Sequence, residues 1–370
     1  QFSGDIMSTN AYAFLLSSIA GFSTLIGFLF ILLLVLVAMA TYRTPAVSLM
    51  PDVTIKPLRS KANAIINLIA LYFLEAYPMK KILMLGTGGT IACVPSENGL
   101  VPALDGKTLV KMVPELAGLC HIDYKQILNL DSSNISPKHW QIIANALAEN
   151  YDNYDGFVIT HGTDTMAYSA AALSWMVQGC QKPVVFTGAQ LPITAQGTDA
   201  KANVYNAFLV ATSQAQGICL AFGKFVIHGL YAKKMCSESF DGFYSINRQP
   251  MATIENHQFT WNSFEGAGSL GNNFTLNTAL EEKVAVIKVT PGLSPDILDY
   301  YLDRGYKGII LESFGAGGVP NDENNWLPNL ERLIQNGVRV VCATQCIYDG
   351  VNLSIYPIGT LAQKLGAESA

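Results

Sequence analysis

Charge is scarce in this chain. Only 14% of its 370 residues are Asp, Glu, Lys or Arg, and they leave a net charge of −5. A protein that grips a phosphate backbone needs gathered cations. No basic patch is evident, so nucleic acid is not expected as a partner. Histidine is rarer still, with five dispersed residues. The seven cysteines (Cys93, Cys120, Cys180, Cys219, Cys236, Cys342 and Cys346) form no CxxC pair and no Cys/His cluster of zinc spacing. No metal site is implied. An odd, scattered set of thiols is expected to be reduced and mostly buried, in a cytosolic environment.

Apolar residues, by contrast, are abundant at 50% of the chain, and they are unevenly spread. Residues 11–41, AYAFLLSSIAGFSTLIGFLFILLLVLVAMAT, carry no charge at all. About 20 apolar residues cross a bilayer, so a transmembrane helix is expected here. A cleaved signal peptide is not, because the run is too long and only Asp5 is charged before it. Arg43, Lys56, Arg59 and Lys61 follow the run, which places its C-terminal side in the cytoplasm. A second apolar stretch, 65–77, is shorter and holds Glu75; it reads as interfacial rather than crossing. The motifs RTPAVSLMPD (43–52) and RSKANAIINL (59–68) resemble a helix–loop–helix of a major facilitator sugar transporter. One or two helices cannot form a transport path. Residues 1–78 are therefore expected to be a transmembrane helix and apolar leader, with a natural start at Met79.

From Met79 the pattern changes. Short Val/Ile/Leu runs at 81–85, 156–160, 183–187, 217–222, 284–289, 307–311 and 338–342 read as strands. Amphipathic stretches at 137–149, 165–178, 199–214, 294–304 and 325–336 read as helices. Ser136-Pro137 opens the first with a cap residue and a proline at the first helical position. This alternation predicts an α/β fold with a parallel sheet. A larger domain is expected over 79–249, a polar Asn/Gly-rich linker over 250–282 and a smaller α/β domain over 283–370. Ligands of such sheets sit beyond the carboxyl ends of the strands.

Three loops at or near such ends carry hydroxyls and acids: GTGGT (86–90), DSSN (131–134) and THGTDT (160–165). Each alone is compatible with a turn or a helix cap. GTGGT lacks both the GxGxxG and the GK[ST] spacing of nucleotide sites. Together, GTGGTIA (86–92) and HGTDTMAYSA (161–170) closely resemble the asparaginase family. DSSNISPKHW (131–140), TGAQLP (187–192), DAKANVYNA (199–207), ESFGAGGVP (312–320) and TQC (344–346) extend the resemblance across 79–370. The start MKKIL resembles that of the cytoplasmic, type I members.

The resemblance implies hydrolysis of L-asparagine, with L-glutamine as a further substrate in some members, and no cofactor. It implies Thr90 as nucleophile and Thr163, Asp164 and a downstream lysine as the supporting triad. Lys234 stands six residues before Phe240, the family spacing; Lys233 beside it is the competitor. Ser132 and Ser133 match residues that hold the substrate's α-carboxylate and α-amino groups, and Asp164 also binds the α-ammonium. Backbone N–H groups near Thr163 and Ala189 are the expected oxyanion donors. Lys234 would act as a base in its neutral form, which burial or a nearby cation favours. A homodimer or tetramer is implied, and membrane association through 11–41 follows only if residues 1–78 are retained.

Two departures from the family stand out. Leu100 occupies the position of a tyrosine that assists the nucleophile in many members. The chain also ends soon after TQC, where members continue with a further helical segment, so a smaller domain shortened at its C-terminus and reduced in stability is expected. Two alternatives remain: an asparaginase-like subunit of a tRNA-dependent amidotransferase, and an inert passenger on a transporter fragment.

Overall fold

The computed structural model describes residues 79–97, 99–262 and 273–370. The transmembrane helix expected over 11–41 and the rest of the leader through residue 78 lie outside the described residues. Among those described, no helix is long and apolar enough to cross a membrane.

The fold is α/β in two domains. The larger sheet contains β1 (Lys81–Gly88), β2 (His121–Leu130), β3 (Gly156–Thr160), β4 (Pro183–Thr187), β5 (Gly217–Phe222), β6 (Phe225–His228), β7 (Ala252–Glu255) and β8 (Gln258–Trp261). Their order across the sheet is β8-β7-β6-β5-β4-β3-β1-β2. Strands β1 to β5 are mutually parallel. The other three are added antiparallel. The expected parallel sheet therefore carries an antiparallel extension. Two of its three antiparallel pairings have a local cause: two-residue turns at 223–224 and 256–257 fold the chain straight back, and Asn256 and His257 both adopt positive φ, 49° and 62°, as a tight hairpin turn requires. Part of the stretch expected as linker, 250–282, thus carries β7 and β8.

Helices α1 (Pro137–Asn150), α2 (Met166–Met176) and α3 (Ala200–Ala211) cover this sheet. Alternate residues of β1 enter opposite cores. Ile82 and Met84 pack with Val204, Ala207 and Phe208 of α3. Leu83 and Leu85 pack with Ile143 and Leu147 of α1 and Leu173 of α2. Burial on both faces explains the unbroken apolar runs. Each such side chain contributes about 1.5–3 kcal/mol through removal from water.

The smaller sheet is wholly parallel, in the order β9 (Val284–Lys288), β10 (Gly308–Ser313), β11 (Arg339–Thr344), β12 (Glu368–Ser369). It packs with α4 (Asp296–Asp303), α5 (Leu327–Gln335) and α6 (Pro357–Leu365) around a fully buried Trp326. Asn247 and Asp349 join the two domains reciprocally. The Asn247 amide donates to the Asp349 carbonyl at 2.7 Å, and the Asp349 N–H donates back to Asn247 Oδ1 at 2.9 Å.

All seven cysteines are free, and five are buried. Burial pushes the Cys120 and Cys219 thiols up to about 12, so they stay protonated and unreactive at neutral pH.

Candidate active site

The parallel strands run 2-1-3-4-5, so the chain reverses its direction of travel across the sheet between β1 and β3. Crevices of open α/β sheets lie at such a switch, beyond the carboxyl ends. Here those ends carry Gly86–Thr90 and Thr160–Thr165. The third loop follows β2, the other neighbour of β1.

The three loops meet through glycine. Gly89 has φ 81° and precedes the short turn Thr90–Ala92. A Cβ on Gly89 would lie 2.3 Å from the Gly162 amide nitrogen, and one on Gly162 would lie 2.6 Å from Ser132 Oγ. Neither position has room for a side chain. Thr90 and Thr163 each follow this contact by one residue. Thr165 Oγ1 donates to the Ser132 carbonyl at 2.7 Å and ties the second and third loops together.

Lys234 reaches the same place from elsewhere in the chain. Its Nζ donates to Thr163 Oγ1 at 2.8 Å and to Asp164 Oδ1 at 2.7 Å. The lysine side chain is 19% exposed and the aspartate 62%, so the pair sits at a rim rather than in the interior. Ala232–Lys234 pairs antiparallel with Phe243–Ser245. Successive side chains on a strand point to opposite faces, and the ion pair with Asp164 identifies Lys234, not Lys233, as the lysine on the site's side. Gln190 Oε1 lies 3.4 Å from the Thr163 hydroxyl, at the long limit of a hydrogen bond, while its Nε2 donates to the Ser239 carbonyl at 3.0 Å.

The remaining groups fix backbone. Thr87 is buried, and its hydroxyl donates to the Thr160 carbonyl at 2.8 Å, fastening β1 to β3. Of the two hydroxyls around Gly88-Gly89, Thr87 is therefore structural, while Thr90, at the head of the Thr90–Ala92 turn, is only half-buried. Asp199 accepts from the Gln190 and Leu191 amides at 2.9 and 3.1 Å, which shapes the loop holding the buried Ala189. Ser132 is buried at the junction. Exposed Ser133 turns its hydroxyl to the Asp131 carboxylate, and its N–H donates there at 2.8 Å. These bonds hold the Asp131 carboxyl below its ordinary range.

His161 is wholly buried, and burial lowers its imidazole to about 4. Leu100 lies in the hairpin that follows the Thr90–Ala92 turn, opposite Pro95 in register. A cavity of about 750 Å³ borders Asp164 and Lys234, walled by Tyr168, Tyr231, Met235 and Asn247 among others. It runs along α2, and Thr90, Ser132 and Ser133 are not in its wall.

The structure thus brings Thr163, Asp164 and Lys234 into direct contact. It sets Ser132 against the same loop and places Thr90 one residue from the glycine contact. Sequence reasoning missed Gln190, Asp199 and His161. Their partners become neighbours only on folding, so no local pattern marked them.

Residues 81–265 match the family model described as asparaginase, N-terminal, and residues 283–370 match that of the glutaminase/asparaginase C-terminal domain. The L-asparaginase of Thermococcus kodakarensis is 38% identical over 292 residues, covering 77% of this chain and 86% of its own. A subunit of the glutamyl-tRNA(Gln) amidotransferase of Pyrococcus abyssi is 36% identical over 325 residues, covering 83% of this chain and 72% of its own. Among solved structures, L-asparaginase I from Vibrio cholerae superposes with a TM-score of 0.70 at 30% identity, over 79% of this chain and 88% of that one.

Proposed function

The chain belongs to the asparaginase family, and we propose that it hydrolyses L-asparagine to L-aspartate and ammonia through a threonine ester. The observation that carries this reading is Lys234 Nζ held 2.8 Å from the Thr163 hydroxyl and 2.7 Å from Asp164, on the loop that meets Gly89-Thr90. A carboxamide is a poor electrophile and a hydroxyl a poor nucleophile. An ester intermediate divides one difficult step into two easier ones.

Thr90 Oγ forms the bond to the carboxamide carbon, and its proton passes to the Thr163–Lys234 pair. The C–N bond then breaks as the nitrogen takes up a proton, and ammonia leaves. Water adds to the ester, the bond to Thr90 breaks, and L-aspartate is released. Each proton transfer contributes roughly 10²–10⁴-fold. Backbone N–H groups of Thr163 and Ala189 donate to the oxyanion. Ser132 and Ser133 hold the substrate's α-carboxylate and α-amino groups, and the exposed Asp164 carboxylate receives its ammonium. L-Glutamine is one methylene longer, a difference that separates substrates by about 10–200-fold. No step calls for a cofactor.

The test is ammonia release from both amino acids by the purified chain, beside its Thr90→Ala variant. We expect turnover of L-asparagine that the substitution abolishes. Full activity in the variant removes Thr90 as nucleophile, and an inactive parent overturns the reading. The amidotransferase relative, which covers the larger share of this chain at 83%, supports a second reading: a hydrolytic subunit acting beside others. Ammonia from L-glutamine only on addition of a partner subunit would favour it. A homodimer or tetramer is the assembly we expect in the first case, read by sedimentation.

A further inference from the structure

His161 stands between the end of β3 and Thr163, and its two ring nitrogens face different partners. Nδ1 lies 2.8 Å from the Gly162 carbonyl, and Nε2 lies 2.8 Å from Ser169 Oγ on α2. A carbonyl only accepts, so Nδ1 carries the proton and Nε2 accepts from the serine. Ser169 Oγ in turn accepts from the Trp140 indole N–H at 3.0 Å. One directed chain therefore runs from α1 through α2 to the loop of Thr163. The ring is wholly buried and edge-on to Phe186, with centroids 5.9 Å apart. The His161 N–H donates to the Thr187 carbonyl at 2.9 Å. Its low basicity keeps the ring neutral at working pH.

The peptide unit is planar and trans, so the Gly162 C=O and the Thr163 N–H point in opposite directions. His161 draws the Gly162 carbonyl toward its ring, and the Thr163 amide of the same peptide therefore points away from the ring. We infer that His161 is a positioning residue whose imidazole sets the Gly162–Thr163 peptide so that the Thr163 amide donates to the oxyanion during amide cleavage. This rests on the hydrolase reading above. His161 touches no substrate; it acts through a peptide plane.

Two substitutions separate this role from packing alone. His161→Leu fills the pocket but donates nothing. His161→Asn places an amide N–H where Nδ1 stands. Loss of one oxyanion donor costs about 10²–10³ in kcat, and a misaimed donor should approach the lower figure. We expect His161→Leu to lower kcat on L-asparagine by about 10²-fold, with KM within about threefold. His161→Asn should recover at least about tenfold of that loss. Ser169→Ala, a milder change that frees the ring to tilt, should lower kcat several-fold with KM held, and it reads the same effect if the leucine variant does not fold. Nitrogen-15 spectra of the histidine-labelled parent should show one imidazole fixed as the Nδ1–H tautomer.

Equal losses in the leucine and asparagine variants would overturn the inference. So would unchanged kcat in both, a loss that only tracks the folded fraction, or an Nε2–H tautomer. A parent that hydrolyses neither amide would overturn the hydrolase reading, and this inference with it. An active parent with an unimpaired leucine variant would overturn this inference alone.

Discussion

Gly89 and Gly162 approach so closely that a Cβ on the first would sit 2.3 Å from the amide nitrogen of the second. The contact is backbone to backbone, so no rotamer change relieves it. It also sits where Gly89 holds φ 81° and ψ 173°, a region essentially reserved for glycine that costs other residues on the order of 1–3 kcal/mol. Gly89→Ala should therefore separate the loops of Thr90 and Thr163. We expect ammonia release to fall at least about 10²-fold, as a 1 Å misplacement does, with stability reduced by about 2 kcal/mol or more. Steady-state kinetics beside a urea melt checks both. Near-parental turnover would mean that the contact does not align the site.

Lys233 and Lys234 are chemically alike and adjacent, yet only the second ion-pairs with Asp164. Lys234→Met keeps much of the stem and removes the ammonium. It should abolish detectable turnover, because a member of a proton-transfer set is lost. Lys233 is exposed in the same cavity wall but is not the lysine paired with Asp164, so Lys233→Met should lower turnover far less than Lys234→Met. The reverse ranking would exchange the two assignments.

Thr87 and Thr90 flank the same two glycines with different tasks. Thr87→Val removes a donor to the buried Thr160 carbonyl, and loss of one such bond costs about 0.5–1.5 kcal/mol. The melt should shift accordingly, while turnover per folded molecule changes only a few-fold. Thr90→Val should do the opposite, leaving the melt near the parent's and turnover absent. Equal kinetic losses in both variants would place Thr87 in the chemistry.

The contrast between these threonines shows what was legible beforehand. Strands buried on both faces announce themselves, as ILML in β1 and GFVIT in β3 do. β2, HIDYKQILNL, lies at the sheet edge with half its residues exposed, and its mixed composition hides it. β7 and β8 escape notice because Asn256-His257 makes their turn without glycine or proline. Thr90, Thr163 and Asp164 are visible through motif, since neighbouring residues deliver them together. Lys234 is legible only to within one residue, because alternation across a strand decides it. His161 and Gln190 are not legible at all, since their meaning lies in Ser169, Trp140 and Ser239, each brought close by folding.

His161 also gives folding a pH dependence whose sign is fixed. Burial holds the folded imidazole at about 4 against an ordinary 6.5. Above pH 6.5 the ring is neutral in both states and nothing is lost. As pH falls from 6.5 toward 4 the unfolded chain binds a proton that the folded one refuses, so stability falls with pH. Over that window the loss amounts to on the order of 3 kcal/mol at 1.36 kcal/mol per unit. His139 and His228 are lowered by burial too and add in the same direction, so the parent's slope alone does not isolate one ring. The difference between parent and His161→Asn does, because the other two are common to both. Urea melts at pH 7, 5.5 and 4.5 should show the variant losing less stability than the parent across the series. Identical slopes would mean that His161 takes up its proton in the folded state, and the directed hydrogen-bond chain from Trp140 to Gly162 would then have no neutral ring to pass through.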